Sequence, residues 1–182
     1  MADIIPGILL ISDPFLKDPN FRRTVVFLCE HMPEGSFGFV LNKKTSYLLN
    51  DLVDDADGID ITVFEGGPVQ KDTIHFLHRC PSQVGGVEVD KGIFWGGDFS
   101  KALKLIKEKE VDPNDIRFFL GYSGWGEGQL DGELAEKSWI IRPASLPLVF
   151  SDNTQQVWKA ALHDLGGEYA QMTNYPIDPQ LN

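Results

Sequence analysis

Short apolar runs broken by turn residues set the rhythm of this chain. Residues 8–11 (ILLI) and 24–29 (TVVFLC) predict strands, and Asp13-Pro14 and Asp18-Pro19-Asn20 between them predict loops. Residues 37–41 (FGFVL) alternate enough to be the return strand of a hairpin that turns over residues 30–35. Ser46 is placed to cap a helix in which Leu48, Leu49, Leu52 and Val53 share one face, with the acidic run 54–58 ending it. Residues 61–64, 73–78, 116–120 and 139–141 predict further strands. Residues 87–89 and 93–95 predict a hairpin turning at Asp90-Lys91-Gly92.

Two longer helices follow from 3.6-residue spacing. Asp98 or Ser100 starts one that carries Leu103, Leu105 and Ile106. Asp152 or Asn153 caps the other, with Val157, Trp158, Ala161, Leu162 and Leu165 inward and Gly166-Gly167 as its stop. The tail, residues 167–182, lacks periodicity and is expected to run irregularly along the surface. Phe64-Glu65-Gly66-Gly67-Pro68 and Phe94-Trp95-Gly96-Gly97-Asp98 both set a glycine pair after an aromatic at a strand end, too short an echo to establish a duplication. No linker divides the chain and no regular βαβα alternation appears. The prediction is one α+β domain over residues 1–182 with its core in 7–166.

The 182 residues suit one domain, which at this length buries roughly 70% of its unfolded surface. With 42% hydrophobic and 24% charged residues the composition is that of a folded chain rather than a disordered one. No apolar run nears the ~20 residues of a membrane span, and the run at residues 4–11 lacks the basic flank of a signal peptide. Two cysteines, Cys29 and Cys80, form no disulfide framework, which suggests a cytoplasmic protein. The formal net charge of −11 disfavours direct nucleic-acid or anionic-membrane binding. Lys101, Lys104 and Lys107 recur at helical spacing, and a solvated helix face explains them better than a basic stripe.

The densest chemical signal is residues 121–130, GYSGWGEGQL. A nucleophile elbow needs glycine two places after Ser123, where Trp125 stands. A phosphate-binding P-loop needs lysine where Glu127 follows Gly126, and a dinucleotide fingerprint needs a third glycine where Gln129 stands. What remains is a strand followed by a glycine turn that displays Tyr122, Ser123, Trp125 and Gln129 for a ligand or protein contact. A plain turn packed under its own aromatics fits the stretch equally well.

Glu30 and His31 are the candidate acid–base residues. In a regular strand Cys29 and His31 share one side and Glu30 takes the other. A polar hairpin end is the stronger reading of this group. His75 and His78 face opposite ways on a strand, and no third ligand is spaced to complete a metal site. The Asp54–Asp57 run lacks the ligand order of a calcium loop. Neither a metal nor a cofactor is expected.

Taken in order, residues 18–26 (DPNFRRTVV), Cys29-Glu30-His31, residues 35–42, Gly66-Gly67-Pro68, Gly121-Tyr122-x-x-Trp125, Gly128-Gln129-Leu130 and Trp139 resemble the YqgE/AlgH family from about residue 7 to 166. The resemblance implies a small bacterial α+β domain on a mostly antiparallel, strongly curved or barrel-like sheet flanked by about three helices. Carried over residue by residue, it marks Asn20, Arg22, Gly66, Gly67, Tyr122, Trp125 and Gln129 as candidate binding residues. The chain departs from the family at Lys44, where proline is common, and in its tail, while Ser123 is not a required residue. The family is often labelled a transcriptional regulator, and its biochemical activity is unsettled. Three functions are therefore expected in this order: a non-enzymatic interaction module for a protein or small-molecule ligand, a regulator acting through DNA or a DNA-bound partner, and a hydrolase using Glu30 or His31. Monomer and homodimer both stay open.

Overall fold

Alternation is absent from the first strand because both of its faces are covered. All five residues of β1 (Ile8–Ser12) are buried, as are the first five of β2 (Val25–Met32). The computed structural model describes residues 3–176. Its remaining strands are β3 (Gly35–Val40), β4 (Lys44–Leu48), β5 (Thr62–Glu65), β6 (Val69–His78), β7 (Val87–Asp90), β8 (Ile93–Trp95), β9 (Ile116–Gly126) and β10 (Trp139–Pro143). They follow the order β10-β1-β2-β3-β9-β6-β8-β7, with antiparallel neighbours throughout. Beside this path β4 pairs with β5, and β5 lies parallel to β9 through Phe64 and Phe119. The end strands do not pair, yet the sheet curls far enough to bring Asp90 of β7 against Gly7, just ahead of β1. The fold is an α+β domain on a curled, open sheet.

Seven α-helices are present among the described residues. Three follow the predicted pattern: α1 (Leu49–Leu52), α3 (Phe99–Lys107) and α6 (Thr154–His163). The others are α2 (Pro81–Val84), α4 (Gln129–Ala135), α5 (Leu146–Val149) and α7 (Gly167–Met172). Asp98 caps α3 by accepting the Lys101 N–H at 3.0 Å. Ser46 is not a helix cap. Residues 44–48 pair with β5, and the Thr45 hydroxyl donates to the Val63 carbonyl at 2.6 Å. The helix starts later, where the Asp51 carboxylate accepts the Leu48 N–H at 2.8 Å. The tail is also more ordered than its sequence suggests, since Tyr169 and Met172 of α7 pack on the core. Residues 177–182 lie outside the described residues.

Three apolar clusters fill the layers. One face of β1–β3 packs against Val157, Trp158, Ala161 and Leu162 of α6, and the other against Trp125, Leu130 and Trp139. Helices α1 to α3 cover the first half of β9 together with β5 and β6. Arg117 of β9 is 5% exposed and ties α5 and the loop after it to the sheet. Its guanidinium donates to the carbonyls of Val149 at 3.1 Å and Ser151 at 2.8 Å and sits 4.1 Å from the Phe64 ring centroid. Burial pulls its pKa down to about 10, with Asp152 acting in the opposite direction.

The glycine-rich stretch answers a topological need. Residues 121–126 are strand, not turn, and the chain leaving β5 crosses directly over them. The Gly66 N–H donates to the Leu120 carbonyl at 2.8 Å, and the Gly66 carbonyl accepts the Val40 N–H at 2.9 Å. A Cβ on Gly67 would fall 2.2 Å from the Tyr122 carbonyl carbon, and Gly121 turns through the left-handed region at φ +65°. Only glycine permits two backbones to meet this closely.

Candidate functional site

Beyond the crossing, β9 sorts its residues onto two faces. Ser123 and Trp125 are buried, while Tyr122 and Gly124 are half-buried and look the other way. The Ser123 hydroxyl donates to the Gly66 carbonyl at 3.0 Å, a structural bond that leaves it no nucleophilic role. Trp125 is 5% exposed rather than displayed on a turn. Its indole N–H and that of Trp139 both donate to Glu133 Oε2, at 2.9 and 2.7 Å. Gln129 bridges the same group, donating to Glu133 Oε1 at 3.2 Å and accepting the Gly126 N–H at 3.0 Å. Phe21 stacks on Trp125 and meets Trp139 edge-on. Thus Trp125 and Gln129 bind one another's neighbourhood and hold β9 to α4.

The opposite face of β9 opens into a cleft of about 500 Å³. Phe37 lies at its centre, with ring centroids 4.8 Å from Trp95 at an interplanar angle of 62° and 6.1 Å from Tyr122 at 77°. His75 joins the wall edge-on to Tyr122 at 5.9 Å. Gly124 and Trp125 of β9 also border the cleft, and the exposed Glu30 and Glu34 line its rim. Four strands, β3, β6, β8 and β9, therefore converge their aromatic side chains on one concavity.

Glu30 reaches this face because β2 carries an irregularity. The pairing shifts between Leu28 and Glu30, so Glu30 stands opposite Phe37 and His31 opposite Ser36. The extra residue, Cys29, belongs to the same buried cluster that Phe37 packs against. Cys29 and Glu30 therefore share a side, contrary to simple alternation, and His31 takes the other. The His31 ring is engaged there, with Nδ1 2.6 Å from Ser36 Oγ. Burial, reinforced by the nearby Glu30 charge, pushes the Cys29 thiol well up, so it is inert as a nucleophile.

The other sequence-marked residues lie elsewhere. Asn20 and Arg22 are exposed ahead of β2. At ~3.3 Å per residue, Val25 and Glu30 are roughly 16 Å apart, so Asn20 and Arg22 sit at the far end of that strand from the cleft. Gly66 and Gly67 are buried at the crossing. Phe37 and Trp95 line the cleft without any mark in the sequence as binding residues, and His75, weighed there only as a metal ligand, joins them. The aromatic before Gly96-Gly97 was the one signal pointing to Trp95.

Burial lowers the pKa of both His75 and His78. The Thr73 hydroxyl donates to the Gln70 carbonyl at 2.7 Å and lies 3.0 Å from His75 Nε2, which places the His75 proton on Nε2. His78 is neutral by the same logic. Its Nε2 donates to the Gly96 carbonyl at 2.7 Å, and its Nδ1 accepts the Cys80 N–H at 3.2 Å. Protonating Nδ1 would remove that acceptor. Unfolded histidines take up a proton near pH 6.5, before these two do, so stability is full above that pH and declines as pH falls through it towards the lowered folded values. Urea midpoints between pH 7.5 and 5.5 are expected to fall, and His75→Phe to flatten the fall. An unchanged pH slope in His75→Phe would count against a buried neutral His75.

Among the described residues, no group of three His, Cys, Asp or Glu side chains is placed to hold a metal ion, and no helix is long and apolar enough to cross a membrane. A family model described as AlgH-like matches residues 9–170. A UPF0301 protein of Cytophaga hutchinsonii is 43% identical over 97% of this chain and 98% of its own length. One from Bacteroides thetaiotaomicron is 37% identical over 97% of this chain and 90% of its own. The solution structure of the AlgH protein from Pseudomonas aeruginosa superposes with a TM-score of 0.73 at 27% identity, covering 97% of this chain and 98% of that one. A Corynebacterium diphtheriae protein shares the fold at 18% identity, with a TM-score of 0.76 over 96% of this chain and 94% of that one.

Proposed function

The chain belongs to the AlgH-like family, and from that footing we propose that it is a non-enzymatic binding module whose aromatic cleft takes a small ligand. The convergence of Phe37, Trp95, Tyr122 and His75 around about 500 Å³ carries this reading. Concave, largely apolar sites of ~300–1,000 Å³ with a few polar groups are the usual form of a ligand pocket. Hydrolysis gains little support, because Glu30 and His31 lie on opposite faces of β2 and His31 is engaged by Ser36. Any regulatory output runs through the occupant of the cleft rather than through duplex DNA, which a net charge of −11 repels. On α3, Lys104 pairs with Glu108 and Lys107 donates to the Asp55 carbonyl, so the lysine stripe is partly tied down. Both cysteines are buried free thiols, which suits a cytoplasmic placement.

A thermal-shift panel of small metabolites tests the reading. A ligand at about 100 times its Kd adds ~2.7 kcal/mol, a rise of roughly 5–11 °C for a chain of this size. Hits are expected to quench Trp95 fluorescence and to lose their shift in Trp95→Ala, with Gly124→Ala weakening them by placing a methyl on the cleft wall. Hits indifferent to both variants would move the site elsewhere.

A further inference from the structure

We propose that the cleft is a site for a small organic cation, an alkylammonium or quaternary ammonium group held against the aromatic wall of Phe37, Trp95 and Tyr122 and drawn in by Glu30 and Glu34. The inference rests on the cleft being the binding site and adds the chemistry of its ligand. Two independent features carry it, the geometry of the rings and the balance of charge around them.

The rings stand steeply to one another. Phe37 packs edge-to-face on Trp95 at 62° and on Tyr122 at 77°, so the three rings form one continuous aromatic wall rather than a stack. A flat aromatic ligand needs two parallel faces to slot between. A compact, roughly spherical cation instead needs only ring surface bordering the cleft, since the face of an aromatic ring attracts positive charge. Gly124 contributes no side chain to the cleft wall beside Tyr122.

The charge is one-sided. Glu30 and Glu34 line the rim, and among the described residues neither forms an ion pair. No lysine or arginine lines the cleft. His75, the remaining titratable group of the wall apart from Tyr122, stays neutral at pH 7 because burial lowers its pKa. The protein as a whole carries −11. An anionic ligand would enter against this field with no group to receive it, whereas a cation is attracted at long range and meets two unpaired carboxylates on arrival.

The experiment is an amide chemical-shift titration of the full chain with choline and, in parallel, with 3,3-dimethylbutan-1-ol, which has the same shape without the charge. Choline is expected to move the amides of Phe37, Trp95, Tyr122 and Gly124 and to bind roughly five-fold or more tightly than the neutral alcohol. Glu30→Gln with Glu34→Gln, both on exposed positions that leave the core untouched, is expected to erase most of that difference, and added salt to reduce it. Equal binding of the two probes at the cleft would overturn the cation assignment and leave the cleft a binding site. Shifts from neither probe would also overturn it. In that case the thermal-shift panel decides the broader reading, which fails only if no hit depends on Trp95.

Discussion

Gly67→Ala is expected to destabilise the protein by more than about 3 kcal/mol, the largest effect of a single methyl anywhere in the chain. The added Cβ would lie 2.2 Å from both the carbonyl carbon and oxygen of Tyr122 and 2.4 Å from the Ser123 nitrogen. Those are backbone atoms of the longest strand, so no side chain can rotate aside. Nor can the crossing chain lift away. Gly66 is fastened on both sides, donating to Leu120 and accepting from Val40 and from the Ser123 hydroxyl. The reciprocal contact is close too, since a Cβ on Gly121 would meet the Gly67 carbonyl at 2.7 Å. Overpacking in side-chain cores costs ~1–3 kcal/mol, and a clash between backbones exceeds that range because neither partner relaxes. Against a total stability of ~5–15 kcal/mol, the loss lowers the Tm by roughly 6–12 °C or prevents soluble expression. Gly132→Ala is the matched control. It lies exposed within α4 with nothing within 4 Å of its added methyl, and is expected to stabilise by up to ~1 kcal/mol. Urea unfolding of the two variants side by side settles the point. A Gly67→Ala protein within 1 kcal/mol of wild type would mean that the crossing opens easily.

The same crossing shows why the sequence could be read correctly in one place and misread in another. Residues 8–11 and 24–29 announce buried strands because burial on both faces leaves a mark on every position. The stretch 121–126 is strand as well, but its glycines serve a second chain passing overhead, and local reading takes glycines for a turn. β4 is invisible for the opposite reason. Its sequence, KTSYL, is mostly exposed and is held by pairing with β5 rather than by packing. In α4 only Leu130 is buried, which leaves no helical period to detect. The cleft was the hardest feature to foresee. Phe37, His75, Trp95 and Tyr122 come from four strands, and no spacing rule links them. The irregularity at Cys29 then reversed the expected sides of Glu30 and His31. The family, by contrast, was legible. Gly66-Gly67, Trp125 and Trp139 each secure a contact between distant segments, and Gln129 ties the start of α4 to the end of β9.

Trp125→Ala is expected to cost ~3–5 kcal/mol, the range for removing a buried tryptophan. The resemblance marks Trp125 as a binding residue, and Trp125 borders the cleft while its indole is held in the cluster behind β9. Its indole packs with Phe21 and Trp139, and the indole N–H shares Glu133 Oε2 with the N–H of Trp139. Two neutral donors on one carboxylate oxygen form charge-assisted bonds, each stronger than a bond between neutral groups. Glu133→Leu removes that acceptor and strands both indole N–H groups, an expected loss of ~2–4 kcal/mol, since a buried unsatisfied donor costs about 1–3 kcal/mol. Glu133→Gln keeps one oxygen for the indoles but presents an NH₂ to the Gln129 donor, so a smaller loss of ~1–2 kcal/mol follows. The cleft is coupled to this cluster through the strand itself, because Gly124 precedes Trp125 and looks out of the opposite face. Trp125→Phe keeps a ring in the cluster and gives up only the hydrogen bond. It is expected to lower stability moderately while leaving the amide shifts induced by choline at Phe37 and Tyr122 in place. If Trp125→Phe abolished those shifts with its unfolding midpoint unchanged, Trp125 would contact the ligand directly and the cluster behind β9 would be part of the site. If stability fell and the shifts survived, the cluster is the support on which the cleft is built.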